Sequence, residues 1–123
     1  GSEKSIVFTH WLTKISNLVI IPFTPSAMDA SSVHKVVDAC EMEETPFFIL
    51  KTRWNNNTVM SEILSESVSE NYSVLRNIIP QSVHFVEAES AGLSVFEYNK
   101  RSKCNIALLD LAREILEEVG HEV

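Results

Sequence analysis

At 123 residues, with 45% hydrophobic and 22% charged residues, the chain has the make-up of one folded globular domain, which excludes a disordered or fibrous class. A formal charge of −7 argues against a surface that is basic overall, and so against the simplest route to non-specific nucleic-acid binding, while leaving room for a local basic patch. Its apolar runs are too short to cross a bilayer and no signal-like stretch stands out, so a cytoplasmic protein with no membrane partner is expected.

Gly1-Ser2 reads as a cloning scar, leaving residues 3–123 as the domain. Apolar groups at Ile6, Val7, Trp11, Leu12 and Ile15 predict a helix over Ile6–Ile15, stopped by Ser16-Asn17. Leu18-Val19-Ile20-Ile21 then runs into Pro22-Phe23-Thr24-Pro25-Ser26, and an uninterrupted apolar run with such a stop reads as a buried, central strand of a parallel sheet. Ser26 is placed to cap a second helix, with Asp29 in the capping-box position and Val33, Val36, Val37 and Cys40 forming one stripe.

Phe47 to Lys51 predicts a second strand, and Asn55-Asn56-Asn57 a polar loop. Thr58 is the expected cap of a third helix with Val59, Met60, Ile63, Leu64 and Val68 inward and Glu62, Ser65, Glu66 and Ser69 toward water. A third strand is expected from Val74 to Ile79, ended by Pro80. Gln81–Ala91 reads as a short helix stopped by Gly92, and Leu93–Tyr98 as an extended or turning connector. The last helix is the most regular: Leu108, Leu111, Ala112, Ile115, Leu116 and Val119 keep helical spacing up to Gly120. Strands alternating with helices predict an α/β fold, three-layer α-β-α, with a small, mainly parallel sheet.

Cys40 and Cys104 lie far apart within apolar patterns and read as buried thiols. His10, His34, His84 and His121 show no metal-ligand spacing, so no metal site is expected, and no nucleophile-elbow motif is present, so no catalytic residue is assigned. The acidic run Glu41–Glu44 and the trio Glu114, Glu117 and Glu118 read as solubilising faces. Lys100-Arg101-Ser102-Lys103 is the one basic cluster, at the mouth of the final helix.

The run Leu18–Ser26, together with Ile79-Pro80-Gln81-Ser82-Val83-His84-Phe85-Val86-Glu87-Ala88, Gly92-Leu93-Ser94-Val95-Phe96 and Ser102-Lys103, resembles the carboxyl-terminal part of the ParA/MinD-like, deviant-Walker partition ATPases, from about Ile15 to Val119. The resemblance implies a partial P-loop NTPase-like fold in which Lys51, Thr52, Ile79, Pro80, Gln81 and Val83 stand on the adenine side of a nucleotide. It implies ATP and Mg as cofactors of the intact family, an adaptor protein as partner, and non-specific DNA contact, to which His84, Lys100, Arg101 and Lys103 would contribute. No Gly-Lys-Gly-Gly-x-Gly-Lys-Ser/Thr loop occurs in the sequence, so hydrolysis by this chain alone is not expected and no cofactor is assigned to it. Two functions follow as expectations: the carboxyl-terminal portion of an ATPase for plasmid or chromosome partitioning, or a stand-alone interaction or dimerisation module. In either, a homo-oligomer through an exposed sheet edge near Leu18–Pro22, with Trp11 and Ile15 beside it, is expected.

Overall fold

A computed structural model describes residues 2–25 and 27–120, and side chains throughout these except at 2–6 and 27–31. The order is α1 (Ser2–Ile15), β1 (Val19–Phe23), α2 (Ala27–Met42), β2 (Phe47–Lys51), α3 (Val59–Asn71), α4 (Val83–Ala91), α5 (Val95–Tyr98) and α6 (Lys103–Glu118). β1 and β2 pair in parallel, with Val19 opposite Phe47 and Phe23 opposite Lys51. The cap expected of Ser26 and Asp29 lies outside the described residues. The caps that are described use short hydroxyls: Thr58 accepts from Ser61 N–H, Ser82 from His84 N–H and Ser102 from Cys104 N–H, each satisfying an amide that the helix leaves unpaired.

The pleat sends alternate residues to opposite faces. Ile21, Phe23 and Ile49 pack with Val33 and Val37 of α2 and Val68 of α3, whereas Leu50 and Leu75 pack with Leu111 of α6. Helices therefore cover both faces of a small parallel sheet. Cys40 and Cys104 are both buried free thiols.

The structure corrects five sequence expectations. The third strand over 74–79 is reduced to two isolated parallel bridges, Ile49 with Val74 and Trp54 with Pro80. Ile49 N–H donates to Ser73 C=O and Leu75 N–H to Ile49 C=O, both at 2.9 Å, after which the ladder lapses until Ile79 N–H donates to Lys51 C=O. A carboxylate fills the lapse: Arg76 N–H donates to Glu114 Oε2 at 2.7 Å, and Asn77 N–H and Nδ2 donate to Oε1 at 2.8 and 2.9 Å. Glu114, read as part of a solubilising face, is thus the second correction, since it is only 3% exposed. Burial alone would raise its pKa, but the Arg76 and Asn77 donors and the Arg76 charge outweigh that and hold it below the ordinary carboxylate value.

Third, α3 is rotated from its expected orientation. Val59, Met60 and Ile63 are exposed, while Ser61 and Val68 are buried and Leu64 packs on the core. Thr58 Oγ1 donates to Ser61 Oγ at 2.6 Å and also accepts Ser61 N–H, so the cap draws Ser61 inward and turns the flanking apolar residues out. Fourth, residues 95–98 form a helix instead of an extended connector, because Ser94 and Glu97 make a reciprocal capping box.

The expectation of a central β1 also changes: among the described residues β1 has one neighbour, β2, and lies at the sheet edge. Val19 N–H donates to Pro46 C=O at 3.0 Å and Thr52 N–H to Phe23 C=O at 2.8 Å. By alternation, the backbone groups of Ile20 and Pro22 point to the free edge, where proline has no N–H to leave unpaired. α1 is tied down at its carboxyl end, where the buried Thr45 hydroxyl donates to Thr13 C=O at 2.9 Å and His10 lies 3.4 Å from Glu43. Trp11 and Ile15, with Val7, Phe8 and Leu12, remain exposed on α1.

Candidate functional site

The carboxyl ends of β2 and of the bridged segment 73–81 open onto a cleft of about 540 Å³, which is where open α/β sheets place their ligands. A local irregularity shapes it. In a regular parallel ladder Ile79 would donate to residue 51 and accept from residue 53. Ile79 N–H does donate to Lys51 C=O, but its carbonyl accepts from Trp54 N–H at 3.1 Å, so one extra residue has been inserted. Arg53 absorbs it with a positive φ of 50°, a conformation that costs a non-glycine residue free energy and must be held by its surroundings. The holding group is Trp54, which is buried, lies 6.0 Å centroid to centroid from Phe23, and accepts Gln81 N–H on its carbonyl. The bulge thus sends Trp54 into the core and Arg53 to the cleft.

Of the residues assigned to the adenine side, Thr52, Ile79, Pro80 and Gln81 line this cleft together, whereas Lys51 and Val83 do not. Lys51 crosses to the α3 side, where its Nζ donates to Ser65 Oγ at 3.2 Å and lies 5.3 Å from the Trp54 ring centroid. Val83 is exposed at the start of α4. Arg53, Ser82, Phe85, Val86 and Glu89 complete the lining. The α4 contribution was detectable from spacing, since residues 85, 86 and 89 share one helical face. The Arg53 contribution was not, because the bulge depends on the pairing register. The lining combines apolar Ile79, Pro80, Phe85 and Val86 with polar Thr52, Arg53, Gln81, Ser82 and Glu89. An apolar lining with a few polar groups is the usual make-up of a small-molecule site.

Behind Pro80 lies a second, more open groove of about 540 Å³, bordered by Arg76, Asn77, Lys103, Ile106 and Asp110. Pro80 lines both hollows and forms the ridge between them. His84, assigned to DNA contact, is tied into the fold: its Nδ1 lies 2.6 Å from Ser102 Oγ, the hydroxyl that caps α6. This bond brings α4 against the basic turn, where Lys100, Arg101 and Lys103 are exposed. Asn99 Oδ1 accepts Arg101 N–H at 3.0 Å and fixes the turn. The four residues assigned to DNA therefore share one corner of the molecule, although His84 spends one ring nitrogen on the cap.

Among the described residues no cluster of three or more metal-ligating side chains occurs, and no helix is long and apolar enough to cross a membrane. No protein-family model matches the chain, and a search of curated proteins finds no match.

Proposed function

We propose that the chain is the carboxyl-terminal portion of a ParA-like ATPase that segregates plasmid or chromosomal DNA, and that this portion forms the purine-side wall of the nucleotide site. One observation carries the reading: three parallel segments stand side by side in sequence order, and the cleft at their carboxyl ends is walled by Ile79-Pro80-Gln81, the stretch on which the family resemblance is most specific. Proline offers a rigid apolar face without a donor, and neighbouring backbone groups can read a base edge. Phosphate and Mg chemistry falls outside this chain's residues, and the basic corner at Lys100, Arg101 and Lys103 supplies phosphate contacts to DNA.

The test is nucleotide titration. The chain alone should neither hydrolyse ATP nor bind it at micromolar strength, and joined to a polypeptide carrying a deviant-Walker phosphate loop it should gain hydrolysis that Pro80→Glu abolishes. Micromolar ATP affinity in the isolated chain, or a joined protein indifferent to Pro80→Glu, would overturn the proposal.

A second reading, a stand-alone interaction module without nucleotide turnover, is favoured by the free β1 edge beside the exposed apolar face of α1. Trp11 and Ile15 would then take part in association with a second copy. A monodisperse monomer at high concentration in sedimentation would count against it.

A further inference from the structure

The outer face of α6 is apolar where a solvated helix would be polar. Ile106 is 62% exposed, Leu109 50% and Leu116 38%, and the core-facing residues Cys104, Leu108, Leu111 and Ile115 lie on the opposite side. Positions 106, 109, 113 and 116 fall within an arc of about 80°, the narrow seam that a partner helix covers. The fourth member is Arg113, paired with Asp110 at 3.6 Å. Along the same helix the charge is divided: Lys100, Arg101 and Lys103 are exposed at its amino end, Glu117 and Glu118 at its carboxyl end.

We infer that α6 docks on α6 of a second copy, antiparallel, about a two-fold axis that crosses its outer face midway between Leu109 and Arg113. The occupant follows from self-complementarity. Reversing the helix about that axis sets Ile106 against Leu116 of the second copy and Leu109 against the aliphatic stem of its Arg113. It also brings the basic amino end of one α6 over the acidic carboxyl end of the other, with Lys103 facing Glu117 across one flank. A parallel arrangement would stack like charges at both ends. Antiparallel pairing is the geometry a two-fold axis across a helix face requires, because the same patch then serves both copies and the assembly closes. Glu117 already meets Arg76 at 3.5 Å, yet its side chain stays 63% exposed and available to a second cation. The short seam makes this a reversible contact, below the size of permanent interfaces. It is independent of the nucleotide reading and of the β1 edge.

Sedimentation equilibrium on the purified chain tests it, using Leu109→Glu, Lys103→Glu, Glu117→Lys and the double variant Lys103→Glu/Glu117→Lys. All of these positions are exposed, and circular dichroism checks that each variant is folded. Leu109→Glu should weaken self-association at least tenfold, either single charge reversal severalfold, and the double reversal should restore the wild-type constant. Only an antiparallel contact gives that rescue, since a β1-edge dimer is indifferent to all four variants. A wild-type chain that stays monomeric, an unchanged constant in Leu109→Glu, or a double variant as weak as the sum of its singles would overturn the proposal.

Discussion

The two margins of the sheet begin from similar sequence and end differently. Leu18–Ile21 and Val74–Ile79 are both apolar-rich runs that stop at a proline. The first becomes a regular strand whose pairing groups meet β2 and whose outer edge is free. The second is a broken strand, held across its gap by the carboxylate of Glu114. Regular pairing needs only neighbouring backbone, and a competing acceptor that is buried, charged and bivalent displaces it, because charge-assisted bonds to a carboxylate are stronger than amide to carbonyl. The broken margin is also the one that carries the cleft. Ile79–Gln81 can meet the bulged end of β2 because the Glu114 contact fixes the register of the residues before them.

The largest test of this contrast is Glu114→Ala. It leaves the backbone N–H groups of Arg76 and Asn77 without a partner, while Asn77 Nδ2 keeps its bond to Asp110 C=O at 3.3 Å, and should cost about 2 kcal/mol in urea unfolding, at roughly 1 kcal/mol per donor. A loss below about 1 kcal/mol would mean that the gap holds itself.

Acid should reproduce part of that effect. The folded pKa of Glu114 lies below its ordinary value of 4.5. Its stabilisation is therefore complete above that value and is lost as the pH falls through the lower folded pKa. The stability of Glu114→Gln should fall less steeply than that of the wild type between about pH 5 and pH 2. Parallel curves for the two proteins would assign the acid limb to other groups.

On the regular margin the expected effects are smaller. Thr45→Val removes the buried hydroxyl that donates to Thr13 C=O and should cost about 1 kcal/mol, together with faster amide exchange in the last turn of α1. Unchanged exchange there would show that α1 is fixed by packing alone. Pro22→Val restores an N–H on the free edge, should alter stability by less than about 0.5 kcal/mol, and should increase self-association. If that new amide is protected from exchange at dilutions where the chain is monomeric, the edge is covered within the chain and the contrast between margins fails.

The sequence made the alternation of strands and helices legible because buried runs, turn residues and hydroxyl caps act locally. β2 falls at Phe47–Lys51 as the β-branched and aromatic pattern predicts, and Thr58 and Gly92 bound their helices as expected. Four of the nine residues that line the candidate cleft, Thr52, Ile79, Pro80 and Gln81, were singled out in the sequence, through the family resemblance. The rest depends on what meets across the fold. Glu114 looks like its neighbours Glu117 and Glu118 in sequence, and only the approach of α6 to residues 76 and 77 makes it a buried acceptor. Val59, Met60 and Ile63 have a plausible inward spacing, and the Thr58–Ser61 contact turns them out.

Local chemistry by itself thus determined most of the strands and helices and where they stop, since propensity, patterning and capping act over a few residues. Tertiary structure decided which backbone amides pair with a strand and which with a side chain, where Arg53 is pushed by the bulge, and which apolar face of α6 is left bare. Each of these is a competition between partners distant in sequence, and packing settles it.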